Sequence, residues 1–213
     1  MRVARRELYA GRALLGVLVA ITIAQPLAAD ARSAAVLGHT DTRQIARDWL
    51  VAHNRDSLRI VIEPAVPARY YRKQGRAGLR GRKAFVRGFA KHTAETRIQY
   101  PSLLRPEYVD AYRKAGFCLV MTFSIIEGRA VNAHLAPALA YYDRLARESD
   151  VVFRTSPYRT GATPPKFDFD GSYNYYPSAF HRPGPEVTIY RLHDCKQGYG
   201  QLPPGTPLPG GIS

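Results

Sequence analysis

Ala13 to Ala29 (ALLGVLVAITIAQPLAA) is an uncharged, apolar run of seventeen residues behind a start that carries Arg2, Arg5, Arg6 and Arg12. A basic flank ahead of such a run holds the N-terminus on the cytoplasmic side and sends the downstream chain across. No second run of this kind occurs after Asp30, so the pattern predicts at most one crossing. The run fits two descriptions. As a signal peptide it has an h-region from Leu14 to Ala24, a helix break at Pro26 and a cleavage site at Ala29-Asp30-Ala31. As an anchor it is slightly shorter than the roughly 20 apolar residues of a typical span, a shortfall that Tyr9 and Arg12 offset by snorkelling.

Beyond the apolar run the periodicity changes element by element. Asp41 followed by Gln44 opens a helix in capping-box fashion, with Ile45, Trp49 and Leu50 along one face. Leu58 to Glu63 (LRIVIE) reads as a buried strand ended by Pro64. Pro106 opens a helix that carries Tyr108, Val109 and Tyr112, and Gly116 closes it. Phe117 to Phe123 (FCLVMTF) is the strongest buried-strand signal. A further helix is predicted from about His134 to Arg147, with Leu135, Leu139, Tyr142 and Leu145 at helical spacing and Pro137 tolerated only in its first turn. Val151 to Thr155 and Glu186 to Leu192 (EVTIYRL) read as strands. This order predicts an α/β chain: one N-terminal transmembrane or signal helix, then a small three-layer α/β domain with a mainly parallel sheet, the last strand pairing as an antiparallel edge.

Charge adds to this picture. The 31 basic and 17 acidic residues leave a net charge of +14, which points to a polyanion as partner. Export across a membrane argues against nucleic acid, leaving anionic headgroups or envelope polymers. Ten of the basic residues crowd between Arg69 and Arg97 with one acid, Glu95, and with glycines at 75, 78, 81 and 88. That spacing suggests a loop or loose helix. Within it Arg76, Arg80, Arg82 and Lys83 are the candidate contacts for phosphate or a lipid headgroup; a solvated loop is the plainer reading. In an exported protein the two cysteines, Cys118 and Cys195, suggest one disulfide, against the alternative of two buried thiols.

No nucleophile elbow, Walker loop or zinc-type spacing is present, and neither a metal nor a cofactor is expected. His193-Asp194-Cys195 reads as a strand end stapled by the disulfide rather than as a ligand set. Gly75-x-x-Gly78-x-x-Gly81 lacks the preceding strand of a dinucleotide fingerprint. The most chemical stretch is Lys166 to Pro177 (KFDFDGSYNYYP), with Asp168, Asp170, Tyr173, Tyr175 and Tyr176, Arg159 upstream and His181 after. Aromatic faces beside carboxylates suit sugar binding, and two acids are the minimum for acid/base work. The alternative is a long loop whose tyrosines cover the core edge.

Several segments together resemble one family: DTRQIARDWLVAH (41–53), RIVIEPAVPARYY (59–71), YRKAGFCLVMTFS (112–124), APALAYYDRL (136–145), VVFRTSPYRTGATPPKFDFDGSYNYYP (151–177) and RPGPEVTIYRLHDC (182–195). They are similar to the C-terminal extracytoplasmic portion of bacterial polyprenyl-phosphate-dependent membrane glycosyltransferases, relatives of the protein O-mannosyltransferases and of the lipid A aminoarabinose transferase. Members of that family carry many membrane helices and hold their catalytic carboxylates in an early loop, which has no counterpart here. The resemblance therefore implies a cap without a catalytic residue and leaves open whether the chain is an enzyme. It also implies that residues 13–31 correspond to the last membrane helix, which favours the anchor. Expected partners are the membrane and a lipid-linked sugar or a multi-span glycosyltransferase chain.

The expected organisation is a cytoplasmic flank over 1–12, the anchor or signal segment over 13–31, a linker over 32–40, the extracytoplasmic domain over 41–195 with its basic loop at 69–97, and a disordered Pro/Gly-rich tail over 196–213. The expected location is the cell membrane, single-pass, with the domain outside, or secreted if the segment is cleaved. The alternative function is a secreted basic protein that binds envelope polyanions or carbohydrate.

Overall fold

A computed structural model describes residues 2–53, 60–63, 84–86, 100–114, 116–165 and 176–196. Helix α1 spans Arg2–Leu37, 36 residues with Pro26 inside it. At 1.5 Å per residue it is about 54 Å long, more than a hydrocarbon core of about 30 Å needs. Leu15, Val17, Leu18, Val19, Ile21, Ile23 and Leu27 are all exposed along it. Among the described residues it is the one helix long and apolar enough to cross a membrane. The described residues divide into two compact units, α1 to His39 with residues 158–182, and residues 40–157 with 183 onward.

The second unit begins with α2, Thr42–His53. Asp41 caps it as expected: its Oδ1 accepts the Arg43 N–H at 2.7 Å and its carbonyl accepts from Gln44 and Ile45. Strands β1 (Ile60–Ile62) and β2 (Ala84–Val86) come next, then a 3₁₀ turn at Tyr100–Leu103 and α3, Tyr108–Lys114. Gly116, at φ 73°, ends α3. Its N–H donates to Arg113 and that of Phe117 donates to Tyr112, the paired bonds of a Schellman close. Strand β3 is Leu119–Phe123 and runs straight into α4, Ser124–Asn132. Helix α5 is Ala136–Arg147, with its proline in the first turn. Strands β4 (Ser149–Thr155) and β5 (Val187–Leu192) complete the unit.

The five strands are ordered β2-β1-β3-β5-β4. β1 is parallel to β2 and to β3, over three residue pairs each. β5 is antiparallel to β3 from Leu119↔Arg191 to Phe123↔Val187, and to β4 from Ser149↔Leu192 to Thr155↔Val187. The sheet is thus mixed, and the expectation of a mainly parallel one is corrected: the longer ladders are the antiparallel ones. The last strand is antiparallel as expected but lies between β3 and β4 rather than at an edge. Its burial fits an interior place: Val187, Thr188 and Ile189 are buried in succession, on both faces of the strand, and Leu192 is buried at its end. A second correction concerns the basic stretch, which holds strand β2 at Ala84–Val86 where a loop or loose helix was expected. Those three uncharged residues are the only ones between Lys83 and Arg87.

Every residue of β1 and β3 is buried. Successive side chains point to opposite faces, so the middle of the sheet is covered on both. The core joins these strands to Leu50 of α2, Val109 and Tyr112 of α3, Ile126 of α4, and Tyr141, Tyr142 and Leu145 of α5. Tyr112 and Tyr141 meet edge to face at 6.5 Å, as do Tyr141 and Tyr142 at 5.1 Å.

The segment before β5 is locked to the start of α2. Buried Thr42 donates its hydroxyl to Pro185 O at 2.6 Å and its N–H to Pro183 O at 3.1 Å. Gly184 sits between those prolines at φ 102°, and a side chain there would collide with Thr42 Oγ1 and Asp41 Oδ1. The Pro-Gly-Pro of the sequence is the shape this closure demands.

Candidate functional site

Ligands of α/β sheets bind beyond the carboxyl ends of the parallel strands. Here β1 and β3 end on one side, and antiparallel β5 begins there. The residue after β1 is Glu63, which is fully buried. Its Oε2 accepts the Phe123 N–H at 2.8 Å and its Oε1 accepts the Tyr142 hydroxyl at 2.7 Å, while its own N–H donates to Met121 O. A carboxylate held this way joins β1, β3 and α5, and its buried charge is met by hydrogen bonds.

Beside it lie groups that reach water. Ser124 donates its N–H to Glu186 O and accepts the Glu186 N–H on Oγ at 3.0 Å, which joins the ends of β3 and β5. Arg154 Nε lies 3.9 Å from Glu186 Oε1. Glu127, on the first turn of α4, keeps solvent contact, but its crowded surroundings raise its pKa; Glu186 and Asp143 add to the rise and Arg154 opposes it. The Tyr190 phenol is raised mainly by burial and further by Glu127 and Glu63. The set offers a carboxyl that holds its proton nearer neutrality, a carboxylate and a guanidinium. Such groups hydrogen-bond hydroxyls or amides. Among the described residues they do not include a nucleophile with a general base, nor do three His, Cys, Asp or Glu side chains converge as metal ligands.

An ionic square braces the opposite part of this unit. Arg113 contacts Asp110 at 2.9 Å and Glu148 at 2.7 Å, and Arg144 contacts the same two acids at 2.9 and 2.7 Å. Arg113 Nε also donates to His193 O, next to the disulfide. Cys118 and Cys195 are bonded, Cα atoms 5.4 Å apart. The disulfide reading therefore holds, and His193 pairs with Asp150 at 3.2 Å.

In the first unit, Tyr158 and Phe180 form an isolated bridge with their rings 4.9 Å apart, and Tyr176 packs on Phe180 at 5.4 Å. Arg159 donates its N–H to Ala179 O at 2.8 Å. His39, just past α1, meets His181 with ring centroids 4.4 Å apart, and its Nδ1 lies 2.8 Å from Ala35 O. The pKa of His181 is lowered, first by desolvation and then by His39, Arg182 and Arg159.

Of the residues singled out from sequence, Arg159 and Tyr176 therefore share this unit. Asp168, Asp170, Tyr173 and Tyr175 lie outside the described residues, as do Arg76, Arg80, Arg82, Lys83 and the tail from 197 onward. Sequence reasoning missed Glu63, Glu127, Arg154 and Glu186. Glu63 left one signal, an acid closing an apolar strand run directly before a proline. The chain matches no family model, curated protein or solved structure.

Proposed function

We propose that this protein is a membrane-tethered extracytoplasmic cap that serves as an accessory of, or a remnant from, a glycosyltransferase using polyprenyl-phosphate-linked sugars, and that it is not catalytic alone. The observation that carries the tether is α1. It exposes eight large aliphatic side chains among the described residues, seven of them between Leu15 and Leu27, and apolar surface of that extent is stable in hydrocarbon rather than water. The disulfide supports an oxidising compartment for the domain. The helix also runs unbroken through Ala29-Asp30-Ala31, which supports an anchor over a cleaved leader.

The glycosyltransferase part rests on the sequence resemblance. Its closing motif fills structural roles here: Pro183, Gly184 and Pro185 hold α2, and the strand after them is interior to the sheet. The second reading, a secreted basic binder of envelope polyanions or carbohydrate, draws on the net charge of +14. Cross-linking in intact cells, then membrane solubilisation and mass spectrometry, separates the two. The cap reading predicts a multi-span glycosyltransferase chain among the products. Recovery in the medium, bound only to envelope polymer in a salt-sensitive way, would overturn it.

A further inference from the structure

Helix α1 changes character where its apolar run ends. From Leu15 to Ala28 every residue is exposed, whereas Ala29, Arg32 and Ser33 are partly buried and Val36 is only 3% exposed. Positions 29, 32, 33 and 36 follow the i, i+3, i+4, i+7 spacing of a single helix face. The unit that holds α1 also holds residues 158–182, and His181 meets His39, just past the helix, with ring centroids 4.4 Å apart. The same few residues carry Ala29-Asp30-Ala31, the small-residue pattern after which a signal peptidase cuts. The covered face thus begins on the first residue of that pattern and resumes on the two residues that follow the bond to be cut.

We infer that the packing of this face guards a proteolytic processing site at the Ala31–Arg32 bond, so that docking of the helix decides between an anchored and a released domain. The inference rests on the membrane-tether reading above, because only a chain held by α1 has something to release. Cleavage adds water across the amide: the Ala31 carbonyl carbon gains the hydroxyl, and the Arg32 nitrogen gains the proton and becomes the new N-terminus. A peptidase takes the residues around the bond as an extended segment, but here they lie inside an unbroken helix. Asp30 and Ala31 are exposed, so what the fold withholds is the extended backbone rather than the side chains. Unwinding that backbone lifts Arg32, Ser33 and Val36 from their cover. Proteolysis of a folded chain follows the population of the opened form, so each contact on the covered face slows the cut. The cut removes the apolar run and leaves the Cys118–Cys195 bridge in the product.

The test incubates the full chain, purified in detergent micelles, with a signal peptidase and follows the product that begins at Arg32 by intact mass. Wild type is expected to be cut slowly. Val36→Ala speeds the cut by about fivefold or more, and Val36→Asp by more than that. Leu37→Ala is the matched control: Leu37 is the next residue but 60% exposed, so its rate stays within about twofold of wild type. Trp49 fluorescence and an oxidised disulfide report an intact domain in Val36→Ala. Adding Ala31→Tyr to Val36→Asp removes the small residue before the bond and abolishes the product. Equal rates for wild type and both Val36 variants, or an equal gain from Leu37→Ala, would overturn the guard. Absence of the Arg32 product from Val36→Asp, or its persistence with Ala31→Tyr, would overturn the site. Native wild type that already begins at Arg32 and is recovered in the medium would overturn the tether reading itself.

Discussion

Removing the disulfide gives a quantitative prediction. Cys118 precedes β3 by one residue and Cys195 lies three residues past β5, and Leu192 donates its N–H to Cys118 O beside them. The bond thus staples the ends of two neighbouring antiparallel strands and closes a loop with a sequence separation of 77. Chain entropy alone assigns a cross-link of that span about 4.5 kcal/mol at 25 °C, and measured values commonly fall at about 2–4 kcal/mol. Cys118→Ala/Cys195→Ala avoids burying a serine hydroxyl at Cys118, which is 2% exposed. Trp49, the sole tryptophan, stacks on Phe153 at 4.9 Å, so its fluorescence reports the docking of α2 on β4. With an m-value of about 2 kcal/mol/M in urea, the unfolding midpoint is expected to fall by about 1–2 M. Reduced wild type should unfold at the midpoint of the double variant. A shift under about 0.3 M would refute the view that this bridge holds the domain together.

Other residues make separate predictions. Gly184→Ala forces a side chain into Thr42 and Asp41 at a positive φ and should cost about 2–4 kcal/mol in the same urea assay; a change under about 0.5 kcal/mol contradicts the described closure. Tyr142→Phe removes one donor from the buried Glu63 carboxylate and is expected to cost about 1–3 kcal/mol, with Tyr108→Phe, on a partly exposed tyrosine, as the mild comparison. Glu148 is held below the usual carboxylate range, first by its hydrogen bond to Arg144 and then by Arg113. A depressed folded pKa gives stability that is present above the unfolded value of about 4.3 and is lost as pH falls through the folded one. The urea midpoint should therefore hold from pH 7 to about 5 and drop below about 4, and Glu148→Gln should flatten that drop; because the pair is partly solvated, its coupling to Arg144 in a double-mutant cycle should be no more than about 1 kcal/mol.

Much of the domain was legible because its signals are local. Asp41 as a cap, the run ending in Phe123, the α5 periodicity and Gly116 at the close of α3 each act within a few residues. Helix α4 was missed for a physical reason. It begins on the residue after β3 with no side-chain cap at Phe123, and it ends in a Schellman close with His134 at φ 50° where glycine is usual. The direction of β5 was legible, but its place inside the sheet was not. That place depends on long-range pairing with both β3 and β4, which alternation within one strand does not encode. The same holds for the site. Glu63, Glu127 and Glu186 are far apart in the chain and reach the same end of the sheet only through the pairing of β1, β3 and β5. The histidine pair of residues 39 and 181 is likewise invisible to spacing.

The central claim is a domain held outside the cytoplasm by an uncleaved N-terminal helix. N-terminal sequencing and intact mass of the native protein from carbonate-washed membranes test it most directly. The account predicts a chain that still carries Ala13 to Ala29, stays in the membrane pellet and has Cys118 and Cys195 oxidised. A chain that begins at Arg32 and is recovered in the medium would contradict it.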